Sequence, residues 1–270
     1  MRKDSIHATN ATPMHIIPME YHRRFMTAAH AAGFRIIDYG PAPDGTPLLV
    51  AEHTPPQPLL SLYLSAGIHG DEPAGPHALC KLMERQWFDP QIAWHIHPLL
   101  NPRGTAARTR ETPDGIDLNR DYQHATAPET RAHKTWLTRH HRHYHAAISL
   151  HEDWESTGFY LYEIHDPATP PLGWAVLQTV EPLLGLDHAA EIDGFPARNG
   201  YLNPDADASL ANNPHWPEQL WLRRHHTPTS LTFETPTSAP LPTRILAHII
   251  ALQNTVAQLL APRINDTFDI

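Results

Sequence analysis

Leu59 to Leu64 is an apolar run of strand length. It opens into Ser65-Ala66-Gly67-Ile68-His69-Gly70-Asp71-Glu72-Pro73-Ala74-Gly75, and a second apolar run follows at Ala78 to Met83. The first run suits a buried strand, and the second suits a helix packed on it. Strand, glycine-rich turn and helix start form the part of an α/β protein where ligands collect, because strand ends and helix N-termini open into a crevice there. Within the turn, His69 and Glu72 stand three residues apart. An imidazole and a carboxylate converging on one spot are two ligands of a catalytic zinc. The spacing alone carries little weight. The chain has 22 His, and His-x-x-Glu recurs at His188/Glu191 and His215/Glu218; chance gives about one match at this composition, and a solvated polar pair is the simpler account of any one of them.

The rest of the chain continues the alternation. Helices are expected over Met19 to Ala32, Glu129 to His143, Leu172 to Leu184 and Arg244 to Leu260, the last with Ile245, Ile249, Leu252, Val256 and Leu259 on one face. Strands are expected over Phe34 to Tyr39, Leu48 to His53, Ile92 to Leu100, Ala146 to Leu150, Gly158 to Ile164 and Leu231 to Phe233. Asn101 to Ala127 is a long polar loop, a feature that is usually functional inside a compact domain. Gly185 to Pro217 reads as irregular and could form a rim or lid. The Arg139-His140-His141-Arg142-His143 tract looks like a metal site, but cationic side chains at a helix C-terminus are explained by the helix dipole. Strands alternating with helices indicate a three-layer α/β domain. Residues 1–18 read as a flexible lead-in and residues 19–270 as a single domain.

Composition narrows the function. A net charge of −9 leaves no basic excess to neutralise phosphates, which argues against nucleic acid as the partner. Cys80 is the single cysteine, so an intrachain disulfide and a Cys-rich zinc site are both excluded. No stretch has the length of a signal-peptide core or a membrane span, and the expected compartment is the cytoplasm.

Charged groups fall at the ends of several expected strands. His69 and Glu72 follow the first, His151 ends the Ala146 strand and Glu234 ends the Leu231 strand. Two His and one Glu make a three-ligand zinc set with a coordination position left over. Glu234 is a candidate base, and Arg110, Asn119 and Arg120 in the long loop offer planar donors for an oxyanion and a carboxylate.

At these residues the chain resembles the zinc carboxypeptidase family and, more distantly, aspartoacylase and succinylglutamate desuccinylase. Four blocks carry the resemblance in order. They are Gly67-Ile68-His69-Gly70-Asp71-Glu72; Asn101-Pro102-Arg103-Gly104 continuing to Arg110 and Gly115-Ile116-Asp117-Leu118-Asn119-Arg120; Ser149-Leu150-His151; and Thr232-Phe233-Glu234-Thr235. The resemblance implies a three-layer sandwich with a mixed, mostly parallel central sheet flanked by helices. It implies one Zn2+ per chain on His69, Glu72 and His151. Arg110 would polarise the scissile carbonyl, Asn119 and Arg120 would hold a substrate carboxylate, and Glu234 would be the general base. The substrate would be a peptide or, alternatively, a small N-acyl amino acid with a free carboxylate; the Arg110 spacing and the Thr-Phe-Glu ending favour the peptide. A non-catalytic protein that kept the fold is the third reading, opposed by every matched position being filled. Two features depart from the pattern or add to it. No Tyr follows Tyr201, so the family's capping Tyr has no clear counterpart. Glu152, Asp153 and Glu155 add acids beside His151 that could support the ligands or bind a second cation, with a solvated loop the simpler reading.

Overall fold

The structure, a computed structural model, describes residues 15–139 and 142–265. In chain order the elements are α1 (Pro18–Ala31), β1 (Arg35–Pro41), β2 (Pro47–His53), β3 (Leu60–Ala66), α2 (Ala74–Glu84), β4 (Ile92–His97), α3 (Pro102–Ala107) and α4 (Pro128–Arg139). They continue with β5 (Ala146–Asp153), β6 (Tyr160–His165), α5 (Gly173–Leu184), β7 (Glu191–Ile192), β8 (Phe195–Pro196), β9 (Tyr201–Leu202), α6 (Ala206–Asn212), α7 (Glu218–His225), β10 (Thr229–Pro236) and α8 (Leu241–Asn265).

One eight-stranded sheet runs β1-β2-β4-β3-β5-β10-β6-β9. Its centre, β4-β3-β5-β10, is parallel throughout, as is the β6–β9 pair. The β1–β2, β2–β4 and β10–β6 pairs are antiparallel. The sheet is therefore mixed and mostly parallel, as expected. Strand periodicity sends alternate side chains to two cores. Leu62, Leu64, Ile148, Leu150, Leu231 and Phe233 pack with α1, α2, α5 and α8. Tyr63 and Ala147 face the other way, with Leu137 of α4 and Trp221 and Leu222 of α7. Both faces are covered, which is why the central strands read as apolar runs. Parallel order also brings the C-terminal ends of β3, β5 and β10 to one side, where the crevice opens.

Some expectations shift. The helix expected to His143 ends at Arg139, and His140 and His141 lie outside the described residues, as does the lead-in as far as residue 14. The irregular stretch holds β7, β8, β9 and α6. Helix α7 was not expected: its buried apolar residues, Leu220, Trp221 and Leu222, make too short a pattern to stand out. Cys80 is buried in the first core. No described helix is long and apolar enough to cross a membrane.

Candidate metal and substrate site

The turn after β3 is shaped by two glycines. Gly67 takes a φ of +65°, which glycine adopts without strain. A Cβ on Gly70 would lie 2.0 Å from the carbonyl carbon of Gly104, so only glycine allows this approach. The Gly70 N–H donates to the Thr109 carbonyl at 3.0 Å. Through these contacts the 101–127 loop lies against the turn that carries His69 and Glu72. The Asn101 side chain holds the start of that loop, accepting from the Gly104 N–H at 2.8 Å.

His69, Glu72 and His151 converge. One ligand atom from each lies within 4.8 Å of the others, and all three residues are buried. The Nδ1 atoms of both histidines face the Glu72 carboxylate, His69 at 2.5 Å from Oε1 and His151 at 3.1 Å from Oε2. Two imidazole nitrogens and a carboxylate aimed at one buried point are a donor set that fits a divalent metal ion. The two histidines differ in one respect. Burial disfavours the His69 imidazolium, but the Glu72 charge and hydrogen bonds with Asp117 and Glu72 outweigh it and hold its pKa at about 9. For His151 burial prevails and the pKa falls. Asp117, whose Oδ1 lies 3.4 Å from His69 Nε2, raises the His69 pKa and has no counterpart at His151.

Asp117 was missed as a site residue in its own right. It accepts from Arg110 Nε at 3.0 Å and from the Asn119 N–H at 2.8 Å, so one carboxylate orients a ligand candidate, the nearby arginine and the start of the Leu118–Arg120 turn. Such a carboxylate behind a ligating histidine fixes the ring's tautomer and direction. The available signal was its place two residues before Asn119. Arg110 Nη1 in turn lies 3.3 Å from His69 Nδ1 and 3.8 Å from Glu72 Oε1.

Glu234 pairs in register with His151 on one side and with Tyr160 on the other, so its carboxyl shares the His151 face. That carboxyl makes no side-chain hydrogen bond or ion pair among the described residues. Burial, then the charges of Glu72, Asp153 and Asp193, push its pKa well above the ordinary carboxyl value, with Arg110 opposing. Asn119 is partly buried and Arg120 exposed. Arg120 Nη1 donates to the Asn119 carbonyl at 3.0 Å, and no ion pair with Asp117 or Asp121 is found among the described residues. Asp121 is engaged instead by Thr126 and Ala127.

Two neighbouring residues take other duties. Glu152, expected in a solvated acidic loop, is buried on the far face: it accepts from the Ala74 N–H at 2.7 Å and pairs with Arg244. Tyr201 donates to Glu163 at 3.0 Å and stacks on Trp174, which leaves it no capping role.

Residues 58–179 match the model of the Succinylglutamate desuccinylase/Aspartoacylase catalytic domain. Carboxypeptidase SOL1 of Arabidopsis thaliana is 33% identical over 91 residues, 26% of this chain and 18% of that protein, so the match spans under a fifth of that relative. A Shewanella amazonensis SB2B structure provisionally described as a metallopeptidase superposes with a TM-score of 0.75 at 23% identity, covering 89% of this chain and 92% of the other. A metallo-carboxypeptidase from Burkholderia cenocepacia gives 0.61 at 15% identity, covering 89% and 69%. Bovine thrombin-activatable fibrinolysis inhibitor gives 0.66 at 14% identity, covering 92% and 98%. At these identities the likeness is one of fold. The chain carries the fold of these metallopeptidase and carboxypeptidase structures, and the desuccinylase/aspartoacylase catalytic-domain match spans the segment that holds His69, Glu72, Arg110, Asn119, Arg120 and His151.

Proposed function

We propose that the chain is a zinc-dependent hydrolase that cleaves an amide bond next to a free carboxylate. The observation that carries this reading is the buried convergence of His69, Glu72 and His151, with the unpartnered Glu234 carboxyl on the adjacent strand. When bound, a zinc ion would supply Lewis acidity toward the carbonyl and lower the pKa of a water. Glu234 would be the group that accepts a proton from the attacking water and returns it to the leaving amine. Arg110 points its guanidinium at the carbonyl oxygen as charge develops there. Asp117 keeps Arg110 and His69 aimed while this happens. Arg120 and the Asn119 amide grip the substrate carboxylate through planar donors.

A peptide is the favoured substrate. A small N-acyl amino acid is the second reading, favoured by the family-model match over residues 58–179. A panel of N-benzoylglycyl amino acids, compared with N-acetylaspartate and N-succinylglutamate, separates the two. Replacing Glu234 with Gln tests the chemistry common to both. It should lower kcat by about 10²–10⁴, with metal content and fold unchanged. A fully active Glu234→Gln protein would remove Glu234 from the mechanism. Glu152 could not take its place, since it is buried against Arg244.

A further inference from the structure

The loop that presents Asn119 is fastened by a ring of buried hydrogen bonds apart from the metal-ligand candidates. Tyr122, three residues after Asn119, has its hydroxyl 2.6 Å from Nδ1 of His133 on α4. The other nitrogen of that ring, Nε2, lies 3.1 Å from the Tyr63 hydroxyl on β3. Tyr63 makes a short bond to Glu218 Oε1, and Ser65 Oγ donates to Oε2 at 2.8 Å. Glu218 is the first residue of α7, and its backbone N–H donates to Asn119 Oδ1 at 2.9 Å. The ring therefore closes on the loop where it began. Tyr63, Tyr122, His133 and Glu218 are each no more than 2% exposed.

The proton directions follow from the two ends. Tyr63 and Ser65 both donate to the Glu218 carboxyl, so the Tyr63 oxygen is left to accept from His133 Nε2–H. The neutral imidazole then offers Nδ1 to the Tyr122 hydroxyl. Burial, assisted by His226, favours that neutral ring. At the other end, a backbone N–H can only donate, so the oxygen of the Asn119 amide is occupied. Its NH2 is the group left to meet a ligand, and an NH2 selects an acceptor such as a carboxylate over an ammonium or an amide N–H.

We infer that Glu218 is a positioning residue for substrate selection: anchored by Tyr63 and Ser65, it holds the first N–H of α7 on Asn119 and so presents the Asn119 amide as a donor to an anionic substrate group. The inference rests on Asn119 as a substrate-binding residue, and the test keeps the two ideas apart.

One measurement is independent of turnover. The side-chain NH2 resonances of Asn119, assigned by their loss in Asn119→Ala, should be dispersed in the wild-type protein. They should remain so in Glu218→Gln, whose amide can accept from Tyr63 and donate to Ser65. They should collapse toward solvent-exposed values in Glu218→Ala. Tyr63→Phe, which removes one oxygen, should shift them in the same direction and serves if Glu218→Ala does not fold. The second measurement uses the fastest-cleaved N-benzoylglycyl amino acid and its C-terminal amide. Glu218→Ala and Tyr63→Phe should raise KM for the free acid roughly ten-fold at nearly unchanged kcat, and narrow the preference for acid over amide by a similar factor. Glu218→Gln should restore both. A merely structural role would instead lower apparent kcat with KM and preference intact. Unchanged Asn119 resonances and an unchanged preference in both disruptive variants would overturn the inference. If Asn119→Ala itself leaves the acid–amide preference intact, the substrate-binding reading fails, and the resonances still decide whether Glu218 positions the amide.

Discussion

Replacing Glu218 with glutamine should change how stability depends on pH. Glu218 is 0% exposed. Burial lifts its pKa from 4.5 to about 7, and the bonds from Tyr63 and Ser65 with the charge of His69 reverse only part of that rise. A carboxyl whose folded pKa is raised contributes its stability in full below the unfolded pKa and loses it as pH climbs through the folded value. The displacement from 4.5 to about 7 therefore corresponds to about 3 kcal/mol, lost across that same interval. The glutamine side chain of the variant carries no proton to lose. The stability difference between Glu218→Gln and wild type should thus move in favour of the variant by about 3 kcal/mol between roughly pH 4 and pH 8, most steeply from about 4.5 to 7. Every other titrating group is common to both chains and largely cancels in the difference. Urea denaturation of both proteins in half-unit pH steps measures it. A difference that stays flat over that range would refute the reasoning, because it would mean that Glu218 titrates alike in the folded and unfolded chain.

Other outcomes follow from the same geometry. Asp117→Asn removes the charge shared by His69 and Arg110, and metal affinity should fall by about 10–100-fold in a chelator competition titration; unchanged affinity would deny Asp117 its orienting role. Gly70→Ala drives a Cβ into the Gly104 backbone and should destabilise the fold by about 1–3 kcal/mol, read as a lowered urea midpoint. A tolerated alanine there would mean that the loop does not pack on the turn. Amidating the substrate carboxylate should penalise wild type more than Arg120→Ala, by about ten-fold, since the variant has already lost that contact. Equal penalties in both would show that Arg120 does not reach the carboxylate.

Much of the site was legible because its parts sit at the ends of local patterns. The apolar run before Ser65 marks β3, the glycines mark the turn, and His151 and Glu234, expected to end their strands, lie two residues before the ends of β5 and β10. What could not be read were relations between distant residues. Glu218 belongs to a His-x-x-Glu match that composition alone explains, and His215 is indeed exposed and not its partner. Its partners are Tyr63 and Ser65, brought to it by the packing of α7 on β5 and β10 rather than by any spacing. Glu152 follows the same logic. Beside His151 it reads as one more acid in a charged run, yet strand alternation turns it to the opposite face, where Arg244 of α8 meets it. Helix α7 has too few apolar positions to announce itself, and its place depends on the sheet face that it covers.

The central claim is that His69, Glu72 and His151 together hold one metal ion, and elemental analysis of purified variants tests it most directly. The wild-type chain should carry about one divalent metal, as should His188→Ala and His215→Ala, whose histidines are exposed and lie outside the convergent set. His151→Ala should lose the metal while the chain stays folded. A His151→Ala protein that keeps its full complement of metal would contradict the account.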